Sequence, residues 1–298
     1  MLVESLNIDS VPDFVEYCKA IRMDIDNSYL YDEDLDVFKP NDENPTYIVR
    51  NHSGEIIAAA SLILDDYHRR GKRARFRIFY SVEEDIAFYK VLFQALLQHT
   101  NGLEKLFLFV PKANTNLIDF IEQMHFDVER YSYLLIREDL EAPEYLLPVD
   151  YSIRTFMPGI DEGIWSEVRN AGFAKLQGSE TPMTPDMVAE MVSNEGYIED
   201  GMKILFHLGR PVGVVHGEAD SYENVPAMLI ATLAIIPEYQ GKGLGRVLLR
   251  AALQFAKEKS YKRTILSVNG ENDRAKALYV QEGFKEAEAF TCYQYQLK

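Results

Sequence analysis

One junction constrains this chain more than any other: an apolar stretch runs through three alternate glycines into a two-faced segment. The turn reads "PEYQGKGLGRVLL", Pro237 to Leu249, and the stretch before it, "NVPAMLIATLAII", reads as a strand stopped at Pro237. From Gly245 to Ser260 the apolar residues Leu248, Leu249, Ala252, Leu253 and Ala256 recur at helical spacing, with Arg246, Arg250, Lys257 and Lys259 between them. A strand passing directly into an amphipathic helix predicts an α/β arrangement in which the helix folds back on a sheet. At such a junction the first backbone N–H groups of the helix lack intrahelical partners, and the helix dipole adds partial positive charge. Glycine at Gly241, Gly243 and Gly245 lets that backbone close around an anion such as a diphosphate. Gln240, Lys242 and Arg246 add donors and positive charge at the same place.

Two familiar phosphate-binding patterns do not match. A nucleotide P-loop needs GxxxxGK[ST], which is absent. A dinucleotide fingerprint needs GxGxxG and an acid on the next strand, whereas the loop here is GxGxG and the strand "TILSVNGEN" carries Asn269.

Elsewhere, "REDLEAPEYLLPVDY" (Arg137 to Tyr151) has two prolines among acids and no period, and it divides the 298 residues nearly in half. Downstream, strand and helix signals follow in the order β-α-α-β-β-β-α-β-α-β: "YSIRTF"; Ile160 to Phe173; "TPDMVAEMVS" opened by Thr184; two strands turning at Gly209 and Arg210; the strand into the glycine loop; the helix from Gly245; "RTILSVNGEN"; "DRAKALYVQEGF"; and "EAFTCYQYQL". The first half can be laid on the second. "SVEEDIAFYKVLFQALLQ" aligns with "PEYQGKGLGRVLLRAALQ", and "NTNLIDFIEQMHF" with "NDRAKALYVQEGF" at an offset longer by two residues. Two matches in the same order indicate a duplicated domain.

Composition limits the partners. Lys plus Arg number 31 against 47 Asp plus Glu, and a net charge of −16 disfavours nucleic acid and anionic membrane surfaces. Cys18 and Cys292 have no metal or disulfide spacing, so no metal site is expected, and a reducing, cytoplasmic setting suits them. No segment approaches the roughly 20 apolar residues of a membrane span. Dimerisation through a sheet edge is left open by the sequence.

The segment "LAIIPEYQGKGLGRVLL" resembles the acetyl-CoA-binding motif of the GNAT N-acetyltransferase superfamily, Arg/Gln-x-x-Gly-x-Gly/Ala after a strand, filled here by Gln240, Gly243 and Gly245. "NGENDRAKALYVQEGF" resembles a second motif of that family, matched at Asn272, Ala275, Tyr279, Gly283 and Phe284. The resemblance covers residues 150–298 and implies an acetyl-CoA-dependent N-acetyltransferase acting on a primary amine of a small molecule or peptide by direct attack. It implies two tandem GNAT-like domains of α/β (α+β) class, each with a mixed central sheet flanked by helices. It also implies a strand that splays from its neighbour, with the main chain of Leu233, Ala234 and Ile235 along the pantetheine arm. The diphosphate is then held by Gln240, Gly241, Lys242, Gly243, Leu244, Gly245 and Arg246, with Asn272 and Ala275 beside the cofactor.

Tyr279 falls where the family places a hydroxyl beside the coenzyme sulfur, and a phenol of pKa about 10 can protonate a thiolate of pKa about 8.5. The glutamate that many relatives carry on the strand before the loop is missing: the region reads "LIATLAI". On alternation His216, Glu218 and Asp220 share one face of a neighbouring strand, and Glu218 is the candidate base. "AGFAKLQGSETPMT" (Ala171 to Thr184) is the candidate acceptor loop, and Trp165 is assigned to the core. In residues 1–140, Glu84, Asp85, Ala87 and Tyr89 stand where Gln240, Gly241, Gly243 and Gly245 do, and Ile121 replaces Tyr279. Two carboxylates without glycines cannot cradle a diphosphate, so the first half is expected to be a degenerate, non-catalytic GNAT-like domain. Loss of turnover in the second half, leaving a coenzyme-A-binding regulatory module, is the alternative reading.

Overall fold

The structure is a computed structural model describing residues 2–139, 141–223 and 225–298. The chain forms two compact units: Met1–Ser132 with Ala289–Lys298, and Tyr133–Glu288.

In the first unit the order is β1 (Val3–Ser5), α1 (Val11–Ile21), α2 (Asp32–Asp36), β2 (Thr46–Arg50), β3 (Ile56–Ile63), α3 (Asp66–Arg70), β4 (Arg73–Ser81), α4 (Ile86–Leu96), β5 (Lys105–Pro111), α5 (Thr115–Gln123) and the start of β6 (Asp127–Arg137). Its sheet runs β1-β2-β3-β4-β5 and closes with the last strand of the chain, whose Phe290–Gln296 pair antiparallel with Pro111–Lys105. The final ten residues, read from sequence with the second half, therefore cluster with the first. Tyr293 is buried there and packs into the same apolar core as Leu106, Leu108 and Phe126. Only pairing geometry makes this choice, because "TCYQYQ" would suit either sheet.

The second unit takes up the rest of β6, then β7 (Tyr151–Thr155), α6 (Glu162–Phe173), α7 (Pro185–Met191), β8 (Met202–His207), β9 (Arg210–Tyr222), β10 (Val225–Ile235), α8 (Leu244–Glu258), β11 (Thr264–Asn269), α9 (Asp273–Gln281) and the start of β12 (Lys285–Gln296). The sheet order is β6-β11-β10-β9-β8-β7, with β10 and β11 parallel and β7 to β10 antiparallel. The β8–β9 turn uses Leu208 and Gly209, both at positive φ, rather than Gly209 and Arg210. α8 has the face read from the sequence: Leu248, Leu249, Ala252, Leu253 and Ala256 are all buried in the unit's core, where Val212, Val214 and Ile235 also lie. Thr184 caps α7 and Pro185 occupies its first turn, where a missing N–H costs nothing. Both cysteines are buried and unpaired.

Candidate functional site

Two features of β10 open the second unit's sheet. A bulge between Ile230 and Thr232 inserts Ala231 into the β9–β10 ladder, and a bulge bends its strand and frees backbone groups. On the other side, β10 pairs with β11 only at Met228 with Thr264 and Leu229 with Ile265. β10 continues to Ile235 and β11 to Asn269, so beyond this pair the two parallel strands part.

A cleft of about 570 Å³ lies there. Of the residues expected from sequence, Leu233, Ala234, Ile235, Gln240, Gly241, Gly243, Gly245, Arg246, Asn272 and Ala275 line it. Lys242, Leu244, Tyr279 and Glu218 do not.

The floor of the cleft is the glycine turn. Gly243 is the N-cap of α8 with φ 79° and ψ −4°, a left-handed conformation that costs a residue with a Cβ roughly 1–2 kcal/mol. Among the described residues no side chain caps this helix, and its first turn closes through the Arg246 and Val247 N–H groups on the Gly243 carbonyl. The positive end of α8 is thus open toward the cleft, an arrangement suited to an anion. Gly241 also has positive φ, and a Cβ there would lie 3.0 Å from the Arg274 guanidinium. That glycine makes room for an arginine as well as for a ligand.

The cations around the turn divide by partner. Arg246 lines the cleft, but its guanidinium is 3.1 Å from the buried Glu282 carboxylate and donates to Gln281. Arg250 holds the same carboxylate at 2.8 and 2.9 Å, and this hydrogen bonding pushes the Arg250 pKa up. The Lys242 ammonium sits 4.6 Å from the centre of the Tyr239 ring, whose hydroxyl is 2.9 Å from His207 Nδ1. Arg274, which sequence reasoning passed over, lines the cleft and has no carboxylate partner among the described residues. The signal was an arginine two residues after the motif asparagine, legible only once α9 is folded beside the glycine turn.

Gln240 Nε2 donates to the Ile235 carbonyl at 3.0 Å, so this side chain ties the turn to the strand end. Asn272 caps α9, its Oδ1 accepting from the Ala275 N–H at 3.2 Å. Gly172 was also missed: its Cβ would stand 2.9 Å from Ala234 Cβ, and its absence lets α6 lie directly on β10 at the cleft wall. Leu244 is buried in the core. Tyr279, one helical turn after Ala275, is only 8% exposed and packs edge-on against Phe284 at 5.9 Å. Burial pushes its phenol up to about 12, so it stays protonated through neutral pH.

Glu218 lies on the α6-facing side of β9, opposite Leu229 on β10. Burial, with Asp220 second, raises its carboxyl to about 7. His216 shares that face but is 1% exposed, and burial lowers its imidazole to about 4. Trp165 is fully buried beside it, the rings perpendicular at 6.2 Å. Among the described residues no group of three or more His, Cys, Asp or Glu side chains is arranged to hold a metal. Nor is any helix long and apolar enough to cross a membrane.

In the first unit the corresponding places are filled. β4 pairs with β5 over Arg73–Arg75 and Lys105–Phe107 only, then leaves it. The cavity lined by residues 76–79 and 108–109 holds about 20 Å³, with Ile25 and Asp26 in its wall. Asp26 pairs with Arg75 at 2.5 Å, and Arg75 stacks on Tyr29 and Phe109. At the start of α4, Asp85 places its own carboxylate on the Ala87 N–H at 2.8 Å.

Residues 176–284 match the Acetyltransferase (GNAT) family. The mycothiol acetyltransferase of Pseudarthrobacter chlorophenolicus is 28% identical over 172 residues, 52% of this chain and 51% of that protein. The chain spans from about half to just under two thirds of the length of such curated relatives. Among solved structures, a GCN5-related N-acetyltransferase from Sphaerobacter thermophilus superposes with a TM-score of 0.75 at 15% identity, covering 99% of this chain and 95% of that one. A tandem GNAT protein from the clavulanic acid biosynthesis pathway superposes at 0.71 and 15% identity, covering 99% and 98%. At such identities the likeness is one of fold, and the fold is that of tandem GNAT proteins.

Proposed function

Proceeding from the GNAT-family domain over residues 176–284, we propose that the second unit is an acetyl-CoA-dependent N-acetyltransferase that acetylates a primary amine of a small molecule or peptide by direct attack. The observation that carries this reading is the cleft between the parting strands, floored by the uncapped N-terminus of α8. Acetyl-CoA, when bound, supplies the activated acetyl group.

The chain's own residues divide the remaining work. The N–H groups of the glycine turn and the side chain of Arg274 face the diphosphate, while Arg246 and Lys242 add positive charge nearby. Leu233, Ala234 and Ile235 offer backbone to the pantetheine arm, while Asn272 holds the start of α9 in place and Ala275 leaves the arm room. Glu218 takes a proton from the acceptor's ammonium group, which frees the nitrogen lone pair for attack on the thioester carbon. A base with a pKa of about 7 is matched to that task near neutral pH. As the carbon–sulfur bond breaks, Tyr279 gives its hydroxyl proton to the departing thiolate and takes the proton that the new amide nitrogen sheds.

The first unit serves as a degenerate, non-catalytic domain. Its filled splay and self-capped helix support this reading.

Calorimetry with acetyl-CoA, beside thiol release over a panel of amines that includes the acceptor of mycothiol acetyltransferases, tests the whole reading. One equivalent bound and acetyl transfer to at least one amine are expected. Two equivalents would refute degeneracy of the first unit, and no binding would refute the cofactor site. The second reading, a coenzyme-A-binding regulatory module, is favoured by the missing carboxylate on β10 and by the place of Tyr279 outside the cleft lining. It predicts binding without turnover.

A further inference from the structure

We propose that a neutral His216, buried beside Trp165 and protonated on Nδ1, orients the Glu218 carboxylate. His216 is thereby a positioning residue, and the inference rests on Glu218 acting as the base.

Three buried polar atoms of the second unit have no hydrogen-bond partner among the described residues: Trp165 Nε1 and both ring nitrogens of His216. Buried polar groups in folded proteins are nearly always paired, and an orphan costs roughly 1–3 kcal/mol. Finding two such side chains adjacent, 0% and 1% exposed, marks a place retained for something other than stability. Beside them stands Glu218, with its Oε2 3.8 Å from His216 Nδ1. That separation is too long for a hydrogen bond, yet catalytic contacts often tighten only when substrate is bound.

The chemistry of His216 and Glu218 selects one arrangement. A carboxylate can only accept, and a neutral imidazole donates through one nitrogen only. It can donate to Glu218 only if Nδ1, the nitrogen facing that carboxylate, carries the proton. The opposite tautomer would point a lone pair at the carboxylate. A cationic imidazole would also donate to Glu218, but burial of His216 disfavours its charged form.

The neutral form has a consequence for the base. A cation 3.8 Å away would hold Glu218 ionised at low pH and make it a poor proton acceptor. A neutral donor orients the carboxylate while leaving its proton affinity high. The other groups around Glu218 are consistent with this. Asp220 on the same strand opposes ionisation, and β10 contributes Leu229. Gly196 lies against the Glu218 Cβ, with Tyr197 next to it. No cation appears among these neighbours.

Two magnetic resonance measurements on the full chain test the proposal without any acceptor, so they stand apart from failure of the acetyltransferase reading. Nitrogen-15 spectra of the histidine side chains should show His216 neutral and protonated on Nδ1 from about pH 6 to 9. Protonation on Nε2, or a titration midpoint inside that range, overturns the proposal. With carbon-13-labelled glutamate, assigned through Glu218→Gln, the Glu218 midpoint should rise by about half a unit or more in His216→Leu and by less in His216→Gln, which keeps a neutral donor. An unchanged midpoint in the Leu variant, or equal shifts in both, overturns the positioning role. If His216→Leu fails to fold, the nitrogen spectra of the unaltered protein and the Gln variant still decide. Once an amine from the panel is turned over, His216→Leu should lower kcat with an unchanged KM for acetyl-CoA, and His216→Gln should restore most of it.

Discussion

Arg246 and Arg274 both line the cleft, yet the structure gives them different work, and exchanging each for alanine separates the two. Arg246 shares the buried Glu282 carboxylate with Arg250, which locks α8 against α9. Its side chain is 42% exposed and Arg250 remains in place, so solvent screening limits the loss. Arg246→Ala should cost about 1 kcal/mol of stability, or roughly 2–4 °C in Tm for a unit of this size. Arg274 has no carboxylate partner among the described residues. Its guanidinium lies over Gly241 at the mouth of the uncapped helix, where a phosphate oxygen would find it. A charge-assisted hydrogen bond is worth about 1.5–3 kcal/mol, so Arg274→Ala should weaken acetyl-CoA binding by roughly 10- to 100-fold with little change in Tm. Calorimetry with acetyl-CoA and with S-acetylpantetheine, which lacks the phosphates, isolates the cause. The Arg274 variant should bind the truncated ligand as the unaltered protein does, and dephospho-coenzyme A distinguishes the diphosphate from the ribose phosphate. If Arg246→Ala loses the affinity and Arg274→Ala does not, or if Arg274→Ala loses both ligands equally, the division of labour is wrong.

Gly243→Asp should abolish acetyl-CoA binding, because it adds negative charge and left-handed strain at the N-cap of α8; retained affinity would move the diphosphate elsewhere. Tyr279→Phe should lower turnover with little change in cofactor affinity, and equal turnover would remove Tyr279 from the mechanism. Glu218 has a folded pKa raised from 4.5 to about 7, so it binds a proton more tightly when folded. Its contribution to stability is complete below pH 4.5 and is lost as pH rises to 7, by up to about 3 kcal/mol. Glu218→Gln should flatten that decline in denaturant titrations run across pH 4–8, and it should remove the rise of kcat/KM with a midpoint near 7 that is expected of the unaltered protein. A variant with the same pH–rate profile would dismiss Glu218 as the base.

Much of the site was legible before folding because its signals are local. Glycine at Gly241 and Gly243 suits positive φ, Thr184 announces a helix start, and the apolar period from Leu248 to Ala256 announces the face that α8 buries. These depend on residues within a turn or two of one another, so sequence order carries them. The order of strands and helices in the second unit followed from the same logic. What tertiary structure alone decided depends on groups distant in sequence. The strand of Phe290–Gln296 joins β5 of the first unit because backbone ladders form with whichever edge is in register, and composition does not record register. Glu282 claims Arg246 from across two helices, leaving Arg274 open to the cleft. His216, read from alternation as sharing a strand face with Glu218 and Asp220, is buried beside Trp165, where desolvation favours its neutral form. Alternation tells which side of a strand a residue faces, whereas burial is set by what packs on that side, and here Trp165 of α6 packs over His216.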